Sequence, residues 1–553
     1  MKRSDLDLSV EQIHTLGKNH AFCNTFLAVG FIALSAMDFL KGPRNEPEPP
    51  AIVSEAVEEE VEALEVTISM SPPPGTPMGP SVPDPVDAVA ITPTPIKMPG
   101  VYASRSIGVR GAKIGAYGVF QTEALVYGFL RYLAMTQNPD GSWDSGELST
   151  EATSLVLLCF LAHGELPGQS EEFGLTIERA IQWLLNDQIM TEDEARIDHP
   201  SAPRKGGTHA WRRGEVGYFR GRDVCNYAHL VAVYALSEAY SMTQIPEIKD
   251  ALELAIPHIL NGQNAQGGWT YNLDASCPVI DASYTCWAVQ ALKAAKLARV
   301  GDQEKIVAAL KGAVNGIKAL YRPDGSFACT TLNSDARNAC DGLTAPCVLA
   351  LQMLDQGDSP EARKALEYMK DWGPTFDTTQ FKGDCCPQYY CYFLSQVRFN
   401  QGEKHPQWLA WHRQQKQLYT AAAITIPREA SGYTDHEGKP QYITFWPRED
   451  GMHKFGTENV AISDLERLRN RPDTRDGKRL GIPVEQLINQ DACTNGDGRA
   501  AKSDIISSCF TALQLMVYYR ETPLAKGALT TIEEEVEVSE GGSDEVELDF
   551  GDL

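Results

Sequence analysis

Paired metal-binding cysteines are missing from this chain: none of its 13 cysteines stands in a Cys-x-x-Cys unit, which disfavours a thiolate zinc site. Positive charge is also scarce. Lys and Arg number 49 against 74 Asp and Glu, a formal net charge of −25, whereas phosphate binding needs a basic surface. No nucleic-acid partner is expected. Sustained period-two alternation is absent between residues 115 and 525, so no strand architecture is predicted there. Long apolar runs are limited to one, AFCNTFLAVGFIALSAM at residues 21–37.

That run meets the short limit of ~17 residues for a membrane span. Its charged lead is long and no small-x-small site closes it, so an uncleaved signal anchor over 21–40 is preferred to a cleaved signal or a buried helix. Lys2, Arg3 and Lys18 precede it, and Lys41 and Arg44 follow. The positive-inside tendency then leaves residues 1–20 in the cytoplasm and the bulk of a single-pass inner-membrane protein in the periplasm. Envelope proteins or an apolar ligand are the partners this location suggests.

The charge and the proline lie mostly outside the periodic region. Residues 44–66 hold eight Glu against Arg44, and residues 533–552 hold ten acids and no base. Segments 41–114 and 526–553 therefore read as a disordered stalk and an acidic tail. The stalk contains 14 of the 33 prolines, which favours extended polyproline II chain.

Between them a repeat is visible. Gln137-Asn138-Pro139-Asp140-Gly141-Ser142-Trp143 recurs as Gln263-Asn264-Ala265-Gln266-Gly267-Gly268-Trp269, with a degenerate copy at Arg322 to Phe327. Each copy joins two segments of helical periodicity, so Gly serves a tight turn and the aromatic packs back on the helices. Twelve such segments run over 122–137, 149–163, 174–189, 225–241, 246–262, 280–297, 303–320, 341–356, 360–371, 386–400, 405–421 and 503–519. They predict six helix pairs in one all-α domain, residues 115–525, with residues 507–520 closing a ring. Residues 422–502 interrupt the pattern as a polar insert. Cys159, Cys286, Cys347 and Cys509 fall on apolar helix faces as small core residues. Cys329 with Cys340, and Cys385, Cys386 and Cys391, are the places where an oxidising compartment would allow disulfides.

The turns resemble those of the prenyltransferase and squalene cyclase repeat superfamily. GGWTYNLDASCPVIDASYTCWAVQALKAAK (267–296), QYYCYFLSQVRF (388–399) and SSCFTALQLMVYYR (507–520) resemble the squalene cyclase-like proteins of planctomycetes and related bacteria. The resemblance implies an (α/α)6 toroid and leaves activity open, since such rings host many chemistries. It also implies what is missing. The Asp-x-Asp-Asp acid of triterpene cyclases is absent, and so is the thioester motif of complement-like toroids. Asp281 matches one zinc ligand of the prenyltransferases, but Ser283 stands in the cysteine position and Tyr389 in the histidine position. No metal and no cofactor are expected.

Polar residues at the starts of the inner helices remain: Glu151, Asn226, Tyr227, His229, Asp281, Ser283, Asp341, Gln388, Tyr389 and Asp504. Capping and inter-helix bonding account for such residues as readily as function does. Two pairs are singled out for proton transfer or ligand binding, Tyr227 with His229 and Asp281 with Ser283, because a histidine beside a carboxylate can run acid/base chemistry. Trp143, Trp269, Trp287, Tyr389, Tyr390 and Tyr392 would line an apolar cavity or form plain core. Three functions stay open: a non-catalytic binding or scaffold component, an isoprenoid- or lipid-modifying enzyme, and a carbohydrate-active ring using Glu151, Asp281 and Asp341.

Overall fold

The computed structural model describes residues 100–117, 119–143, 149–188, 190, 216–219, 227–332, 343–374, 387–445 and 500–520. The anchor run, residues 41–99 of the stalk, residues 446–499 of the insert and the tail lie outside these, as do Asn226, Asp341, Cys340, Cys385 and Cys386. Among the described residues no helix is long and apolar enough to cross a membrane.

Two kinds of helix alternate along the chain. The first kind is buried nearly all round: all fifteen residues of α3 (Ser149–His163) and all ten of α9 (Thr344–Met353) are buried. The same holds for most of α5 (Ala228–Thr243) and α7 (Ala282–Ala298). A helix apolar on every side must sit inside. The second kind carries a single apolar stripe. In α4 (Gly174–Asp187) the stripe is Ile177, Ala180, Ile181, Leu184 and Leu185. In α6 (Pro246–Asn261) it is Ile248, Ala251, Leu252, Ala255, Ile256 and Ile259, and α8 (Gln303–Lys318) follows suit. These spacings of three and four residues place one face on the core and leave the other to solvent.

The inner helices pack in a closed cycle. Adding α11 (Pro387–Asn400) and α14 (Ala500–Leu515), the order of contact is α3, α5, α7, α9, α11, α14 and back to α3. Around it lie α4, α6, α8, α10 (Pro360–Tyr368) and α12 (Pro406–Ala422), each against the inner helix that precedes it. The earliest outer helix, α2 (Phe120–Met135), packs on α14 and α12 and so completes the circle. All twelve predicted helices are present, and the architecture is an α/α toroid.

The repeated turns explain the regular spacing. Gln137 Nε2 donates to Gly141 O (3.0 Å) and Thr176 O (2.9 Å), and Gln263 Nε2 donates to Gly267 O and Ala309 O (both 2.8 Å). Each glutamine thus ties its turn to the next outer helix. Gly267 has φ 90°, and a Cβ there would lie 2.0 Å from Gly312 O. Gly267→Ala is expected to cost on the order of 2–4 kcal/mol, combining left-handed strain with overpacking against backbone. Urea unfolding checks this, and an unchanged midpoint would refute the role assigned to the turn.

Two features depart from the sequence reading. Residues within the span read as stalk are folded, forming a 3-10 turn over Gly100–Arg105 and helix α1 (Ile107–Tyr117). Few apolar residues mark this stretch, and its burial rests on Tyr102, Arg105 and Ile114. The start of the insert forms one short helix, α13 (Arg428–Ser431), and short strands: β1 (Ile424–Ile426) pairs antiparallel with β4 (Ile443–Phe445), and β2 (Tyr433–Thr434) with β3 (Pro440–Gln441). Two- and three-residue strands are too short to leave a period-two signature. They are held tertiarily, since Tyr442 Oη donates to Ala124 O (2.9 Å), Arg131 lies over the Tyr442 ring, and Phe445 packs on Tyr132.

Candidate functional site

Three of the predicted polar residues, Tyr227, Asp281 and Ser283, meet at the N-terminal ends of the inner helices α5 and α7. Asp281 caps α7, its Oδ1 accepting from Tyr284 N (2.8 Å) and from Ser283 Oγ (2.7 Å). Ser283 Oγ lies 2.7 Å from Tyr227 Oη, and Tyr227 Oη lies 2.9 Å from Tyr271 Oη. Because the carboxylate only accepts, these contacts form a consistently ordered chain in which Tyr271 donates to Tyr227, Tyr227 to Ser283 and Ser283 to Asp281. Tyr227, Tyr271 and Tyr284 also touch ring to ring, with centroids 5.3–5.8 Å apart.

Burial, and then the Asp281 charge, push Tyr227 and Tyr271 well above the ordinary phenol range. Both therefore keep their protons at neutral pH. The turn that presents Tyr271 contains Leu273 at φ 50°, a left-handed conformation that costs a non-glycine residue about 1–3 kcal/mol. Such strain is held in place by the packing of Leu273 beneath Gly262.

The pairing of the polar residues differs from the expected one. Tyr227 joins Asp281 and Ser283, whereas His229 is separate from them. Residues two apart on a helix face different ways, and His229 turns toward α6. Its Nδ1 accepts from Phe219 N (3.2 Å) and its Nε2 bonds Ala255 O (3.1 Å), while its ring stacks on Tyr218 at 4.2 Å. Burial and the neighbouring His258 push its pKa down to about 3, so it stays neutral and does not run acid/base chemistry beside a carboxylate.

The His229 contact exposes a fourth copy of the turn. Trp143 N donates to Thr153 Oγ1, Trp269 N to Thr285 Oγ1 and Phe327 N to Thr344 Oγ1; in the second repeat Phe219 N meets His229 instead. Gln188 Nε2 donates to Gly217 O and Ala251 O (both 2.8 Å), the same double contact as Gln137 and Gln263, and Gly217 has φ 91°. The signal was Gly217-Tyr218-Phe219, hidden because 28 positions, not three, separate the glutamine from the glycine.

The aromatics divide into two sets. Trp143 and Trp269 are turn residues, their Nε1 atoms donating to Leu133 O and Ile259 O (both 2.7 Å), which removes them from the expected cavity wall. Trp287, Tyr389, Tyr392, Phe393 and Phe510 interlock within the inner ring. Trp287 meets Tyr392 and Phe393, and both Tyr389 and Tyr392 meet Phe393 and Phe510. Tyr390 packs on Tyr389. Gln388 is buried, and its carbonyl accepts from Gln514 Nε2 (3.3 Å). Glu151 is buried in the first turn of α3, with α5 between it and α7. Asp504 lies on α14.

The opposite rim carries a charged cluster that the sequence gave no reason to expect. Arg105 Nη1 bonds Glu238 Oε2 (2.8 Å) and Leu161 O (3.3 Å), and Arg105 also reaches Arg520 O. Arg520 Nη2 donates to Tyr234 Oη (2.9 Å) and Tyr392 Oη (3.1 Å). Beside it His163 places Nδ1 2.7 Å from Glu165 and Nε2 3.0 Å from Glu123, and Tyr519 Oη donates to Glu123. Burial raises the Glu165 carboxyl, but the hydrogen bond from His163, its charge, Ser170 and Arg110 outweigh this and hold it below the usual range. Among the described residues no three or more His, Cys, Asp or Glu are grouped to hold a metal ion.

The class defined by these contacts is a mostly helical α/α toroid with a polar rim, an aromatic interior and a charged base. No protein-family profile matches the chain, and no curated protein matches it. Among solved structures it is similar to the endo-beta-1,4-glucanase CMCax from Acetobacter xylinum, at 13% identity, covering 72% of this chain and 98% of that one with a TM-score of 0.30. A likeness at that score carries no argument, and the ring stands on its own contacts.

Proposed function

We propose that this chain is a membrane-anchored, envelope-facing toroid of the squalene cyclase/prenyltransferase repeat type that acts as a non-catalytic binding or scaffold component. The observation that supports the reading is the aromatic packing between the inner helices, where Trp287, Tyr389, Tyr392, Phe393 and Phe510 contact one another ring to ring. The rim supports it as well. Asp281 is engaged by Ser283 and Tyr284, and Tyr227 and Tyr271 hold their protons, so the ordered chain braces α5 against α7. A glycan-cleaving ring would need two carboxylates facing one bond; of the three candidate acids, Asp281 is engaged by Ser283 and Tyr284, and Asp341 lies outside the described residues.

Native mass spectrometry of the full chain, extracted from membranes in mild detergent, tests the anchor and the interior together. The expected result is recovery from the membrane fraction with the mass of the bare polypeptide. Recovery of the intact chain in the soluble fraction would remove the anchor, and a stoichiometric polyprenyl lipid would replace the scaffold reading with the lipid-enzyme one.

A further inference from the structure

Two buried thiols meet at the seam of the ring. Cys159 lies in α3, the first inner helix, and Cys509 in α14, the last, and these helices pack directly on each other. Cys159 Sγ lies 3.6 Å from the carbonyl oxygen of Cys509, so the two residues adjoin across the seam. Both are fully buried, and both are reduced in this structure. A single buried cysteine acts as a small hydrophobe. Two facing thiols on separate helices are in addition the reactants of a disulfide.

We propose that Cys159 and Cys509 form a disulfide that fastens the last inner helix to the first, so that the redox state of this pair governs whether the ring can open. The oxidant is a low-molecular-weight disulfide. One cysteine loses its proton, and its thiolate attacks the oxidant's S–S bond, expelling one thiolate and leaving a mixed disulfide. The second cysteine, also deprotonated, attacks the protein sulfur of that intermediate and expels the other thiolate. Two electrons pass to the small disulfide, which leaves as two thiols with the two protons.

Burial, and then the adjoining Cys159, raise the Cys509 thiol well above its ordinary range, so the closed ring presents a protonated, shielded pair that reacts slowly. Exchange accordingly takes place while α14 is undocked, as the chain folds. Once the seam is shut, the same burial keeps reductant away. The two cysteines are 350 positions apart, and a cross-link closing so long a loop restricts the unfolded chain most. In the cell the link rests on the envelope location proposed above, since disulfides persist in oxidising compartments; the refolding test below does not depend on it.

The test is to refold the full chain from denaturant, in mild detergent, in a buffer of oxidised and reduced glutathione. Free thiols are then alkylated and the peptides mapped by mass spectrometry. The expected result is a linked Cys159–Cys509 peptide as the dominant cross-link, with a Tm on the order of 5 °C above the reduced protein. That increment should vanish in Cys159→Ala. Recovery of both cysteines alkylated in refolded protein, or of Cys159 joined to a different cysteine, overturns the proposal. The mapping uses the unaltered chain, so it decides the matter even where the variant fails to fold.

Discussion

Deleting residues 503–520 is expected to abolish cooperative unfolding of the toroid. The segment supplies most of α14 and the short helix α15 (Val517–Arg520), and from Ser507 onward every residue is buried. Its large apolar side chains include Ile505, Phe510, Leu513, Leu515, Met516, Val517, Tyr518 and Tyr519. At about 1.5–3 kcal/mol each, burying these eight contributes on the order of 12–24 kcal/mol. That meets or exceeds the ~5–15 kcal/mol by which a native protein is stable. The loss would also expose the faces of α3 and α11 that α14 covers. Calorimetry should show the single sharp transition replaced by a broad or absent one, and a truncated chain with an unchanged transition would disprove closure.

Replacing Glu238 by alanine should cost about 3–5 kcal/mol, because Arg105 would be left buried without its counter-charge. The side chains of the pair are 2% and 5% exposed, so water cannot take the place of the lost carboxylate. Burial alone would raise the Glu238 pKa, but the Arg105 charge and hydrogen bond, the Arg520 charge and the Tyr234 bond outweigh it and hold it below the model-peptide value of 4.5. A carboxyl with a depressed folded pKa binds its proton more weakly in the folded chain than in the unfolded one. Its contribution is therefore whole above pH 4.5 and fades as the pH falls through the lower, folded value. Urea denaturation of both proteins should show a gap that is constant from pH 6 to 8 and narrows in acid. A gap absent at pH 7 would mean that the Arg105–Glu238 pair contributes nothing to closing the base of the ring.

Helix number and the inner–outer alternation were legible because both are local properties. Ile177, Ala180, Ile181, Leu184 and Leu185 announce an outer helix by their spacing, and the unbroken apolar run of α9 announces an inner one. The turn glycines were equally plain where glutamine, glycine and tryptophan fall within seven consecutive residues, as at Gln263 to Trp269. The same motif escaped notice between Gln188 and Phe219, where an insertion separates its two halves while the hydrogen bonds remain. The site was half legible. The sequence singles out Tyr227, Asp281 and Ser283, which the structure joins by hydrogen bonds, but not Tyr271 and Tyr284, which complete their network, since a tyrosine near a turn looks like any core aromatic.

The sequence by itself determined that the chain is helical, that it repeats, and that it carries none of the catalytic signatures its resemblance would suggest. These follow from periodicity and from the presence or absence of short motifs. Only the tertiary structure decided that Tyr227 bonds Ser283 and not the histidine two positions away, that His229 replaces a threonine in a turn, and that Arg105, Glu238 and Arg520 meet at the base. Those contacts join residues 10 to 415 positions apart. No local pattern specifies them, because it is the closing of the ring, with α14 brought back against α3, that sets which distant side chains are buried together and must satisfy one another.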